Sequence, residues 1–245
     1  PDPRRLDIRA RPIPGDPAAA GLMPGASVAV LGIQLETRRR NRVNGTVLEL
    51  TRDGFAVGVA QSFGNCPQYI QARTAFSVET RAAPPSIHRE TARLSPTAAA
   101  VIRRADTFFV ATVSAHPDSD DPREGVDVSH RGGKPGFVRV AEAGSHTVLR
   151  WPDFRGNFLF NTLGNLEVDA RAGLLFVDFS SGSLLSLTGE ATVQWGGAEV
   201  AAFAGAHRLI DFRVCAAVRI ERALPLRWTA AVPAPQLSGT GSWDG

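Results

Sequence analysis

Two stretches of this chain read as the same unit written twice. Leu31 to Gly45 is LGIQLETRRRNRVNG, and Leu175 to Gly189 is LFVDFSSGSLLSLTG. Each opens on an apolar, strand-like run and closes on a polar residue plus Gly. Each then continues into an alternating strand, TVLEL from Thr46 and EATVQW from Glu190. The displacement is a constant 144 positions (175 − 31 and 189 − 45). Further on, FAVGVA from Phe55 matches FRVCAA from Phe212, displaced by 157 positions (212 − 55). Self-similarity at a fixed displacement points to one structural unit used twice.

The second unit reads as complete and the first as its C-terminal part. The counterpart of Ser95 to about Ser145 would then lie before Pro1. The expected organisation is therefore residues 1–85 as part of a first unit, 86–94 as a linker, 95–230 as a complete unit and 231–245 as a flexible tail rich in Pro, Gly and Ser. Ser95-Pro96 is a helix start, because Ser caps and Pro suits the first helical position. FFVATVSA, VDVSH, FVRV, HTVLRWPDF, AGLLFVDF, SLLSLTGEATVQW and IDFRVCAAVRIERA read as strands. NFLFNTLGNLEV from Asn157 reads as a helix, and AEVAAFAGAHRLI as an amphipathic helix. Many short strands with few helices predict a mainly β fold closed into a barrel. Alternation places Val28, Val30, Ile33, Val47, Leu175, Val177, Leu187, Val193 and Val218 in its core.

Composition excludes several classes. Hydrophobic residues make up 43% and charged residues 21%, which is ordinary globular usage and not that of a disordered or fibrous chain. No apolar run approaches the roughly 20 residues that cross a bilayer, so no membrane association is expected. Two cysteines, Cys66 and Cys215, make no disulfide framework, and a cytoplasmic setting is expected. The net charge of +3 is too small to argue for nucleic acid. Alternate residues of a strand face opposite sides, so Arg38, Arg39, Arg40 and Arg42 need not form one patch and are read as a solvated hairpin edge.

No phosphate-binding P-loop, dinucleotide-binding glycine pattern, zinc-ligand spacing or nucleophile elbow occurs, and no metal site is expected. Two segments carry chemistry. DVSHRGGKPGFVRV from Asp127 places Ser129, His130, Arg131, Gly132, Lys134 and Phe137 along a strand and a Gly-rich loop. WPDFRGNFLFNTLGNL from Trp151 adds Phe154, Arg155, Asn157 and Asn161. Glycines let backbone N–H groups approach an anion. Arg155, just before an expected helix start, is placed to meet a phosphate, and the two phenylalanines can pack on a flat ring. The same residues equally make an ordinary turn and helix entry.

DVSHRGGKPGFVRV, PDFRGN, NTLGNL and RAGLLFVDF resemble the FMN-binding split barrels related to pyridoxamine 5′-phosphate oxidase. QSFGNCPQYIQ from Gln61 is similar to the closing segment of such barrels. The resemblance implies a tandem split β-barrel, mainly β with short helices, forming an internal pseudo-dimer, with a further homodimer left open. It implies FMN in the groove between the units. Arg155, Asn157 and Asn161 would meet the phosphate, and Ser129 to Arg131 would line the ring edge. Gly132, Lys134, Phe137 and Phe154 complete that side, while Ser62, Asn65, Pro67 and Tyr69 of the first unit would reach across. The implied activity is flavin-dependent oxidoreduction of a small-molecule substrate with a reduced electron donor, His130 being the one candidate catalytic residue. The alternative is a flavin- or haem-binding relative without turnover, or a haem-degrading one. The tail LPLRWTAAVPAPQ lacks the family's Arg-x-His segment, which argues against pyridoxamine phosphate itself as substrate.

Overall fold

The computed structural model describes residues 2–64, 66–78, 84–117, 119, 121, 124–156 and 159–243. The chain is mainly β with short helices, consistent with the expected split-barrel class. In chain order the elements are β1 (Arg5–Ile8), α1 (Ala18–Gly21), β2 (Ser27–Gln34), β3 (Arg39–Leu50), β4 (Phe55–Gly64), β5 (Ala75–Ser77) and β6 (Ser86–Glu90). They continue as α2 (Pro96–Arg104), β7 (Thr107–Val113), β8 (Val126–Gly132), β9 (Arg139–Ala143), β10 (His146–Phe154), α3 (Asn161–Val168) and β11 (Arg171–Asp178). Last come β12 (Ser183–Gln194), α4 (Ala198–Ala202), β13 (Ala206–Glu221) and β14 (Leu226–Trp228), with a 3-10 turn at Pro235–Gly239.

A four-stranded sheet runs β1-β4-β3-β2, and a larger one runs β8-β7-β11-β12-β13-β10-β9, with β6 also on β13. The larger sheet curls around Phe108, Leu149, Trp151, Phe176, Leu185, Leu187 and Phe212, with Ile102 of α2 and Leu163 of α3 packed into the same cluster. Ser95 caps α2, its hydroxyl accepting from the Ala98 N–H at 3.2 Å. The hairpin β2–β3 of the small sheet lies against β8 of the large one.

The two hairpins share their register. Ser27 pairs with Thr46 and Arg171 with Glu190, each displaced by 144 positions. Both following pairings carry an irregularity at the same place, Asn44/Gly45 and Thr188/Gly189. A Cβ on Gly45 would lie 1.9 Å from the Gly58 carbonyl oxygen, and one on Gly189 would lie 2.2 Å from that of Arg213. Only glycine admits so close a strand, which explains the polar-Gly pair in both sequences. Beyond the irregularity Gly45 pairs with Val59 and Gly189 with Val214. That displacement is 155, so the apparent match at 157 is two residues out of register from Val57 onward, and three at Phe55 and Ala56, beyond a further irregularity at Val47/Glu49. A shift of two keeps every side chain on its own face, so alternation alone cannot detect it.

Several local expectations change. Of the nine expected core residues only Val47 and Leu187 are fully buried; the others are half-buried. On β11 the core face is Ala172, Leu174 and Phe176, because an unbroken apolar run hides which parity points inward. The expected helix through Ile210 stops at Ala202, and Leu209, Ile210, Phe212 and Val214 belong to β13, where they are buried. Residues 86–90, read as linker, form β6 on the edge of β13. The expected flexible tail is packed: Ala234 and Leu237 are buried, and the Trp243 indole N–H donates to the Phe137 carbonyl at 2.8 Å. Among the described residues no helix is long and apolar enough to cross a membrane.

Candidate functional site

The groove lies where the hairpin β3–β4 and the segment after it meet β8. Alternation on β8 turns Asp127 and Ser129 towards β3, and on β3 it turns Arg40 and Arg42 towards β8. Arg42 forms an ion pair with Asp127 that is buried on both sides, and it donates to the Ser129 hydroxyl at 2.9 Å. The Thr162 hydroxyl of α3 bonds the second Asp127 oxygen at 3.4 Å. Burial pulls the Arg42 guanidinium down and pushes the Asp127 carboxyl up, while each partner opposes the shift of the other. Arg40 donates to the Cys66 carbonyl at 2.9 Å and to that of His130 at 3.4 Å. Burial, then Arg131 and Arg42, push it down to about 10.

His130 is buried, edge-on to Phe109, and among the described residues its Nε2 has no hydrogen-bond partner. Burial first, then Arg40, Arg131 and Arg73, hold its pKa well below the usual imidazole range. The imidazole is therefore neutral at pH 7. Next along the groove, Asp153 sits between Arg131 at 3.8 Å and Arg208 at 3.1 Å. The Arg208 guanidinium lies 4.9 Å from the ring centres of both Phe160 and Trp195. Guanidinium groups outnumber carboxylates here, which favours an anionic group in the groove.

The segment after β4 closes the groove from the side of the small sheet. Gln71 is buried; its amide donates to the carbonyls of Tyr69 and Gly133 and accepts from the Ala234 N–H. Tyr69 has φ 63°, its ring centre is 5.1 Å from that of Phe154, and its hydroxyl donates to the Arg155 carbonyl at 3.2 Å.

The expected site residues divide accordingly. Ser129, His130, Arg131, Gly132, Phe137, Phe154 and Tyr69 line one cavity with Arg40 and Arg42. Arg155 lines the adjoining space beside Arg208. It does not stand at a helix start, because α3 begins six residues later, at Asn161. Asn161 lines a neighbouring polar cavity of about 290 Å³. Phe137 belongs chiefly to the barrel core, stacked on Phe108 at 5.7 Å. The Lys134 ammonium bonds the Thr240 carbonyl and serves the tail. Ser62 and Pro67 are exposed and do not line the cavity. Asn65 and Asn157 lie outside the described residues.

Sequence reasoning missed Arg40, Arg42 and Arg208. Arg39 is exposed, but the other hairpin arginines are not a solvated edge: Arg42 is 4% exposed, and Arg38 donates to the carbonyls of Ile70, Val232 and Pro233. The available signal was the period-two spacing of 40 and 42, which puts them on one face of β3.

The donor set suits a phosphate-bearing planar ligand such as FMN, but the space does not. The cavity between Tyr69, His130 and Phe154 holds about 70 Å³, against roughly 300 Å³ or more for ordinary cofactor pockets. An isoalloxazine ring does not enter the groove as it stands.

No family model and no curated protein matches the sequence. The fold is similar to solved structures of low identity. HupZ of Group A Streptococcus is 15% identical over 49% of this chain and 89% of its own, with a TM-score of 0.36. Its H111A form is 14% identical over 48% and 92%, also at 0.36. A provisionally assigned pyridoxamine 5′-phosphate oxidase of Lactobacillus delbrueckii is 12% identical over 52% and 94%, at 0.39. Scores this low carry no functional argument.

Proposed function

We propose that the chain is a tandem of two related barrel units and that the groove between them binds an FMN-type cofactor in an open form. The tandem reading draws on the shared hairpin register and the shared glycine irregularity. The cofactor reading draws on one observation above all. Arg40 and Arg42 of the first unit converge with Ser129, His130 and Arg131 of the second on a single cavity that no short sequence segment could build. The cationic end beside Arg131, Arg155 and Arg208 would take the phosphate.

Oxidoreduction of a small molecule, with a reduced electron donor, follows from that cofactor. When bound, flavin supplies the electron-transfer chemistry. The chain's own residues hold the anion, exclude water and present a neutral imidazole. A cofactor-holding protein without turnover is the second reading. It draws on His130, which is buried among guanidinium groups and held neutral, so no imidazolium stands ready as a general acid.

Equilibrium titration of the intact chain with FMN, read by flavin absorption and fluorescence, tests the cofactor. Saturable binding with shifted bands is expected, followed by bleaching on adding reduced nicotinamide. Bound flavin that no donor bleaches would favour the second reading.

A further inference from the structure

We propose that the Tyr69 side chain is the gate of the groove, its ring holding the place on Phe154 that a planar ligand ring takes. The inference rests on the groove being a planar-ligand site. Four observations meet at this residue. Its ring lies 5.1 Å from Phe154, tilted by 31°, which is contact distance for stacked aromatic groups. Its hydroxyl closes over the cationic end by donating to the Arg155 carbonyl at 3.2 Å. With it in place the cavity holds about 70 Å³. Its backbone sits at φ 63°, a left-handed conformation that a bulky aromatic residue adopts only when its surroundings impose it.

Those surroundings are visible. The Tyr69 carbonyl rests against Gly132 of β8, where a Cβ would come within 2.0 Å, and it accepts from the Gln71 amide at 3.1 Å. Gln71 is fixed in turn by Gly133 and Ala234. The backbone is therefore pinned, while among the described residues the side chain makes one ring contact and one hydrogen bond. Rotation about χ1 breaks both without disturbing the joint between the units. A ligand that replaces the ring on Phe154 recovers the stacking that Tyr69 gives up, so the cost of opening is partly returned on binding.

The test uses the full chain and two probes, FMN and 8-anilinonaphthalene-1-sulfonate, an aromatic anion with no flavin chemistry. Tyr69→Gly removes the ring and relaxes the φ constraint. It is expected to bind both probes about two- to tenfold more tightly than the wild type, as the worth of one aromatic contact implies. Tyr69→Phe, which keeps the ring but loses the bond to Arg155, should fall between. Equal or weaker binding of both probes by Tyr69→Gly would overturn the gate and make Tyr69 a wall. If no form binds FMN while the sulfonate still prefers Tyr69→Gly, the gate stands and the flavin reading falls. A measurement on the unmutated chain guards against misfolded variants. Tyr69 is the single tyrosine, so nitration by tetranitromethane reports on it alone. Saturating sulfonate should speed 3-nitrotyrosine formation if the ring swings out, and slow it if the ligand merely covers a fixed ring.

Discussion

Arg42 and Asp127 stand 85 residues apart and form a buried ion pair that joins the small sheet to β8. Their side chains are 5% and 4% exposed, so neither charge is solvated once the other is gone. Arg42→Met alone, or Asp127→Asn alone, is expected to destabilise the chain by about 3–5 kcal/mol. The double variant Arg42→Met with Asp127→Leu should recover most of that loss, because it buries no lone charge. Urea denaturation of the three variants measures this. Additive losses in the double variant would show that the two side chains are not coupled and would contradict the pair's role.

Gly132 and Gly164 should respond oppositely to the same change. A Cβ at Gly132 meets the Tyr69 carbonyl at 2.0 Å, whereas one at Gly164 on the exposed side of α3 meets nothing within 4 Å. Gly132→Ala is expected to cost about 1–3 kcal/mol by overpacking. Gly164→Ala is expected to stabilise by about 0.5–1 kcal/mol through helix propensity. Thermal unfolding decides; an unchanged Gly132→Ala midpoint would mean that the closing segment does not rest on β8.

Histidine burial sets a direction for pH dependence. The folded chain holds His130 neutral, while the unfolded chain protonates it near pH 6.5. Below that value the unfolded state binds more protons, so this contribution to stability is complete above about pH 6.5 and is lost as pH falls towards the depressed folded pKa. Denaturation at pH 7.5 and 5.5 should show a loss for the wild type and a smaller loss for His130→Gln. Equal losses in both would place the acid sensitivity elsewhere.

Removing residues 235–245 is expected to cost at least about 2 kcal/mol, the worth of one buried leucine, and to expose the chain to proteolysis. Leu237 is buried, Trp243 meets Phe203 with ring centres 4.7 Å apart, and the Thr240 carbonyl takes the Lys134 ammonium. Denaturation and limited trypsin digestion of the shortened chain check it; unchanged stability would show that the tail only rests on the barrel.

What was legible in the sequence was local. The two hairpins showed themselves because a polar-Gly pair marks a strand crossing too close for any Cβ, at Gly45 and again at Gly189. The Asp127 to Gly132 strand showed itself by composition and by its resemblance to a family. What depended on distant partners did not show. Arg42 looked solvated because nothing near it in sequence reveals Asp127. The face of β11 was unreadable because every residue from Ala172 to Val177 is apolar or glycine. The tail looked mobile because Pro, Gly and Ser are also what a packed turn uses, and its anchors, Lys134 and Phe137, lie about a hundred residues earlier. Arg155 looked like a helix entry, but α3 starts only at Asn161.

The most direct measurement is equilibrium binding of FMN to the wild type, Tyr69→Gly and Arg155→Ala. Expected are saturable binding by the wild type at one flavin per chain, tighter binding by Tyr69→Gly, and weaker binding by Arg155→Ala. Losing a charge-assisted bond to phosphate should cost about 1.5–3 kcal/mol, or roughly ten- to a hundredfold in affinity. Absence of saturable binding in both the wild type and Tyr69→Gly would contradict the proposed flavin groove.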